Sequence, residues 1–210
     1  MRLTQSTTIL DALVDSLQSD PFYAAISHEF RNDAARRRAV LARYFDYSLM
    51  EGSRTGRLVV WPDPSIGAAA VWLLPVDEAH AKAESTAKAE FLAEALGTHG
   101  SDTYHRIVDF MRPRAMAVVA QSAWYLSIVG VAPAAQGQGI GARLLQSTLA
   151  EADAAGASCY LETFDARNPR FYERLGFCAV GTHVEPATRA AYTIMNRPAN
   201  SKARALKPAE

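Results

Sequence analysis

The feature that most constrains this chain is the segment Val129-Gly-Val-Ala-Pro-Ala-Ala-Gln-Gly-Gln-Gly-Ile-Gly-Ala-Arg143. An apolar run over residues 124–131 has the length and residue types of a strand. A loop of small residues follows over 132–141. From Ile140 to Ala155 the apolar positions Leu144, Leu145 and Leu149, with Thr148, recur on one helical face. A strand that turns through glycines into a helix presents unpaired backbone N–H groups at the helix start. The helix dipole adds partial positive charge there, and the two together suit phosphate. Gly137, Gly139 and Gly141 remove side chains, so a pyrophosphate can approach the backbone closely.

Phosphate loops of several kinds share this logic. A P-loop ends in Gly-Lys-Ser/Thr, whereas this one ends in Gly141-Ala142-Arg143, which excludes it. A dinucleotide fingerprint places glycines as Gly137 and Gly139 are placed, and its third position tolerates Ala142. On the loop alone that reading stays open. It expects a strand near the chain start and several βαβ units, which the first half does not offer.

That first half reads as helices around a hairpin. Ile9, Leu10, Leu13, Val14 and Leu17 have helical spacing, with Thr7 or Thr8 as cap and Asp20-Pro21 as the stop. Asp33 caps a second helix over residues 34–50, broken by Gly52 and Gly56. Residues 58–61 and 68–74 form an antiparallel hairpin around Pro62-Asp63-Pro64 and Gly67. Asp77 caps an Ala-rich helix to about Leu96, glycines 97 and 100 break it, and another helix runs from Ser101 or Asp102 to Ala120, disturbed at Pro113. Beyond the loop, strands are expected over 157–163, 177–184 and 190–195, with a short helix over 169–175. No internal repeat is evident. The expected organisation is one domain over residues 1–198, a helical and hairpin half (1–120) and a ligand-binding half (121–198), followed by a loose tail over 199–210.

Composition removes several classes. Lys plus Arg and Asp plus Glu both number 22, so the formal charge is zero and no nucleic-acid partner is expected. Arg36-Arg37-Arg38 reads as a solvated helix face. No run approaches a membrane span and no secretory signal is read at the start, so the expected location is the cytoplasm. Cys159 and Cys178 both sit in apolar runs and read as buried free thiols. The five histidines are scattered, and no metal site is expected.

The pattern Gln/Arg-x-x-Gly-x-Gly/Ala, met here by Gln136, Gly139 and Gly141, resembles the pyrophosphate loop of the GNAT acyltransferases. Pro133 follows the strand at that family's usual place. Cys159-Tyr-Leu-Glu-Thr163 comes one helix later, then Asn168 and Phe171-Tyr-Glu-Arg-Leu-Gly-Phe177. Within the family, residues 124–177 look most like the puromycin N-acetyltransferase-like members, which share the Val-Gly-Val strand end, the Leu-Glu-Thr strand and Arg-Asn before the closing motif. The resemblance implies an α/β (α+β) fold: a mixed, mostly antiparallel sheet, splayed between two parallel strands and flanked by helices. It implies acetyl-CoA as cosubstrate and direct acetyl transfer to an amine of a small molecule, by a monomer or homodimer. Rival readings are a non-catalytic acyl-CoA-binding or sensor module and a protein N-acetyltransferase of the same fold.

Carried over residue by residue, the resemblance gives the cofactor site to the backbone of Val129, Gly130 and Val131, to Gln136, Gly137, Gln138, Gly139, Ile140, Gly141 and Ala142, and to Asn168 and Tyr172. Tyr172 is the candidate general acid for the leaving thiolate. From the residues themselves, Glu162 is an acid in an otherwise apolar strand, on one face with Tyr160, while Cys159, Leu161 and Thr163 take the other. Glu162 is either the base that takes the amine proton or a structural carboxylate with a buried partner. His183 is a weaker base candidate, and Cys159 lacks the adjacent base a nucleophile needs. Asn168 also suits a plain N-cap before Pro169, Gln136 a turn-shaping role, and Arg143 a contact to phosphate or water.

Overall fold

In a computed structural model, residues 7–200 are described. Helix α1 (Thr7–Leu17) buries Ile9, Leu13 and Val14, the face its spacing predicts. Thr7 and Thr8, expected as its cap, both lie within the helix, and the residue before Thr7 falls outside the described residues. Asp20-Pro21 ends α1 but also begins something unforeseen: α2 (Pro21–Ile26), with the Asp20 carboxylate accepting from Phe22 N–H at 2.9 Å and Pro21 in the first turn. The Asp20-Pro21 stop signal concealed this start signal.

Helix α3 (Ala34–Thr55) starts at the expected cap, Asp33, which accepts from Arg36 N–H at 2.9 Å. It does not break at Gly52. A Cβ there would meet Val71 Cγ1 at 2.7 Å, so this glycine lets the helix lie close on the sheet. Of the arginine run, Arg37 donates to Ser27 Oγ and Gln18 O, and Arg38 pairs with Asp11 and Asp15. The run is therefore not a plain solvated face, because two of its members tie α3 to α1 and to the turn that follows α1.

Strands β1 (Gly56–Val60) and β2 (Ala68–Leu73) form the hairpin. Helix α4 (Glu78–Met116) spans both helices expected for this stretch. The interruption is confined to Gly97, at φ 70°, and Gly100 lies within the helix, where a Cβ would meet Ile26 O at 2.6 Å. Pro113 sits in the last turn, and the helix ends at Met116 instead of Ala120. Strand β3 (Trp124–Val131), helix α5 (Ile140–Ala155), strand β4 (Cys159–Thr163), helix α6 (Asn168–Glu173) and strands β5 (Cys178–Glu185) and β6 (Ala190–Arg197) follow the order read from the sequence. The tail expected from residue 199 falls, from residue 201 on, outside the described residues.

The sheet runs β1-β2-β3-β4-β6-β5, and every neighbouring pair is antiparallel except β3–β4. That parallel pair is registered only at Trp124↔Cys159 and Tyr125↔Tyr160. Beyond it the two strands part. One apolar layer, with Leu13, Phe45, Leu96 and Ile107, covers the face under α1–α4, and a second, with Leu144, Leu145, Cys159 and Phe177, covers the face under α5 and α6. Cys178 is exposed, because most of the side chains of edge strand β5 face outward. Among the described residues, no helix is long and apolar enough to cross a membrane, and no cluster of His, Cys, Asp or Glu could hold a metal ion.

Candidate active site

The site is built at the parting of β3 and β4. Opposite β2, the register slips between Val71/Trp72, leaving Ser127 as an extra residue in β3. Leu126 and Ile128 would share a face in a regular strand, yet they lie in opposite apolar layers. The bulge thus rotates the last part of β3. Ala132 N–H donates to Gly67 O at 2.7 Å, so by alternation Gly130 also points its backbone toward β2. Val129 and Val131 are then left with amides facing the gap. Of the three strand-end residues expected to bind cofactor, Val129 presents both backbone groups and Val131 its N–H, because the Val131 carbonyl accepts from Gln136 Nε2. Gly130 has a different reason to be glycine: a Cβ there would meet Leu13 Cδ2 at 2.5 Å, where α1 crosses the strand.

Past the strand, Gln136 Nε2 donates to Val131 O at 3.1 Å and Gln138 Nε2 to Ala134 O at 3.4 Å, so both side chains shape the loop. Gly137 and Gly139 have φ of 79° and 76°, and a Cβ at either would meet nothing within 4 Å. Among the described residues, the N–H groups of Gly137 through Ala142 donate to no backbone oxygen, and no side chain caps α5. The result is an open, concave row of donors at a helix N-terminus. Arg143 donates to Gln138 O at 3.2 Å and lies 4.8 Å from the Trp61 ring centroid, which holds the loop against the hairpin. These features fit a pyrophosphate.

Inward from the loop lies a cavity of about 480 Å³, lined from both halves of the chain. Ser127 and Val129 of β3, Glu162 and Thr163 of β4, and Asn168 and Tyr172 of α6 form one side, while α1, α2 and α4 supply the other. The loop residues do not line it; they lie beyond the far end of β3.

Glu162 stands on the α4 side of the sheet, as the alternation of β4 predicts. Its Oε2 accepts from Tyr125 Oη at 3.3 Å, and its Oε1 is buried with no hydrogen bond among the described residues. Burial pushes its pKa up to about 7, against the opposing effect of the Tyr125 hydrogen bond. Tyr125 in turn stacks on Tyr160 at 4.7 Å. Tyr172 is buried in the layer under α5, and burial, then the charge of Asp20, raises its pKa. It remains a proton donor at any ordinary pH. Glu162 and Tyr172 therefore approach the gap from opposite faces.

Asn168 is the first residue of α6 rather than its cap, and its Nδ2 donates to Thr163 Oγ1 at 3.0 Å. This bond joins the end of β4 to the helix that carries Tyr172. Cys159 is buried on the face opposite Glu162, and burial pushes its thiol up to about 11, which suits packing and not nucleophilic attack. His183 packs its ring 5.8 Å from Tyr192 and does not line the cavity.

The sequence reading missed Asp20, Tyr125 and the group at the far wall. There Lys88 Nζ reaches both oxygens of Glu51, at 3.1 and 2.8 Å, beside the edge-to-face rings of Phe22, Tyr23, Tyr44 and Tyr104. Each of these residues reads locally as a cap, a strand residue or a helix surface. Only the tertiary fold brings them together.

Residues 97–179 match the family model described as an acetyltransferase (GNAT) domain. Solved structures of similar fold include one described as histone acetyltransferase HPA2 and related acetyltransferase from Corynebacterium glutamicum, 21% identical, covering 95% of both chains with a TM-score of 0.62. A Pyrococcus horikoshii protein is 14% identical, covers 95% of this chain and 97% of that one, and has a TM-score of 0.54. A putative GNAT acetyltransferase from Desulfovibrio desulfuricans is 17% identical, covers 95% and 96%, and has a TM-score of 0.50. The match falls on the part of the chain that holds the splayed strands and the glycine cradle, and the fold agrees with that of a GNAT acetyltransferase domain. The protein is an acetyltransferase, and acetyl-CoA is the cosubstrate of the domains that residues 97–179 match.

Proposed function

We propose that the protein transfers acetyl from acetyl-CoA to an amine of a small molecule, with Glu162 as general base and Tyr172 as general acid. The observation that carries this is the cavity, where α1, α2 and α4 close over the transfer point and leave room for a small acceptor. The likeness of residues 124–177 to puromycin N-acetyltransferase-like members supports the same acceptor class. The two halves act as one catalytic unit, since neither alone lines the cavity.

Acetyl-CoA, when bound, supplies the acetyl group as a thioester. The N–H groups of Gly137 through Ala142 would hold its pyrophosphate. The backbone of Val129 and the N–H of Val131 would pair with its pantetheine arm as an added strand does. One of those two amides would donate to the thioester carbonyl, and a fixed donor to an oxygen that gains charge is worth ~3 kcal/mol. Asn168 binds beside Thr163 and fixes α6. As the C–N bond forms, the amine proton passes to Glu162, whose ionised fraction is substantial at neutral pH. As the C–S bond breaks, Tyr172 gives its proton to the sulfur. No covalent enzyme intermediate is required.

A thiol-release assay with acetyl-CoA tests the acceptor class. Small primary amines, among them nucleosides with an amino group, aminoglycosides, polyamines and amino acids, are compared with peptides bearing a free N-terminus or lysine. Turnover with at least one small amine, and none with peptides, is expected. Peptide turnover alone would assign the site to protein acetylation.

A further inference from the structure

The cavity holds a second carboxylate that the acid–base pair does not use. Asp20 lies at the corner between α1 and α2, on the wall that covers the transfer point. One of its oxygens, Oδ1, caps α2 by accepting from Phe22 N–H at 2.9 Å. Its other oxygen receives no hydrogen bond among the described residues, yet a carboxylate has acceptor capacity for several. Its charge is felt by the Tyr172 and Tyr23 phenols, whose ionisation it opposes, so it stands close to the proposed general acid. Leu17 and Phe22 flank it with apolar surface, which strengthens any charge contact made there.

The titratable groups around it leave its charge unspent. Tyr23 on α2 and Tyr172 on α6 are neutral, and Asp165, in the loop before α6, repels it. Across the cavity, Lys88 is committed to Glu51, and Arg112 is exposed on α4. Glu162 adds a second acid, not a counter-charge. A half-buried carboxylate beside apolar surface, without a cation, carries a desolvation cost that a cationic ligand would reduce.

We propose that the free oxygen of Asp20 receives the ammonium group of the acceptor, so that the site selects amines in their protonated form and delivers them to Glu162. Asp20 is thus a substrate-binding residue and Glu162 the base. The division explains the placement of two acids around one gap: one captures the cation, which loses its first proton to water before attack, and the other takes the second proton as the C–N bond forms. The inference rests on the amine-acetylating reading of the site.

The test compares phenethylammonium with the uncharged isostere 2-phenylethanol, binding each to the full-length protein loaded with CoA, by calorimetry at pH 7.5. The wild type should favour the cation at least about tenfold, a difference of ~1.4 kcal/mol. The preference should fade as pH drops through about 6, where Asp20 takes up a proton. Asp20→Asn and Asp20→Ser retain a capping side chain, so Tm should hold while the preference disappears. Glu162→Gln should lose turnover and keep the preference. Absence of preference in the wild type, its survival in Asp20→Asn, or its loss in Glu162→Gln would each overturn the proposal. If the preference behaves as expected but no amine is acetylated, the acetyl-transfer reading fails and the Asp20 assignment stands.

Discussion

Glu162 is the residue on which the proposed chemistry turns, because its environment sets its proton affinity near the pH at which it must work. Desolvation dominates, and a single hydrogen bond from Tyr125 only partly offsets it. If Glu162 is the base, kcat/KM for the amine should rise with pH through about 7, and Glu162→Gln should remove that limb, as a pH–rate profile would show. The same burial implies a stability cost with a definite sign. Below about 4.5 the carboxyl is protonated in both folded and unfolded chains and costs nothing; the penalty grows as pH rises and is complete above about 7. Glu162→Gln should therefore raise stability at pH 8, by up to ~3 kcal/mol, and leave it unchanged at pH 4, read by urea denaturation. The sequence exposed Glu162 because a lone acid breaks the apolar pattern of a strand. It concealed Tyr125, an ordinary strand aromatic, and Asp20, whose helix-capping role is a sufficient local explanation for its presence.

At the scale of elements, the glycine loop was legible because its requirements are local. Positive φ at Gly137 and Gly139, and a helix that starts without a side-chain cap, follow from a few consecutive residues. Gly139→Ala should raise the KM for acetyl-CoA with little change in kcat, since the new Cβ would point into the open space of the cradle. The strained φ should also cost at least ~1 kcal/mol of stability, measurable as a lower Tm. Other glycines misled the reading. Gly52 and Gly100 looked like helix breakers, but each sits inside a helix where another element approaches closely. A glycine that ends a helix and one that admits a neighbour look alike until the neighbour is known. The bulge at Ser127 was likewise invisible, because it depends on the register of β2 against β3, and not on β3 alone.

For the whole molecule, the order of elements was readable from Trp124 onward, and the splay between β3 and β4 was expected from the resemblance. The acceptor wall was not readable. It is assembled from α1, α2 and α4, whose cavity-lining residues are far apart in sequence, and part of it, with Leu17, Phe22, Tyr23 and Lys88, lies before residue 97, where the family match begins. The central claim is that acetyl leaves coenzyme A at the parting of the strands with Tyr172 protonating the sulfur. Tyr172→Phe keeps the ring that packs on Phe171 and Phe177, and removes only the hydroxyl. The direct measurement is kcat in a thiol-release assay beside acetyl-CoA affinity by calorimetry, for wild type and this variant. The account predicts that kcat falls about 100-fold while Kd stays within about threefold. An unchanged kcat in a folded variant that still binds acetyl-CoA would contradict it.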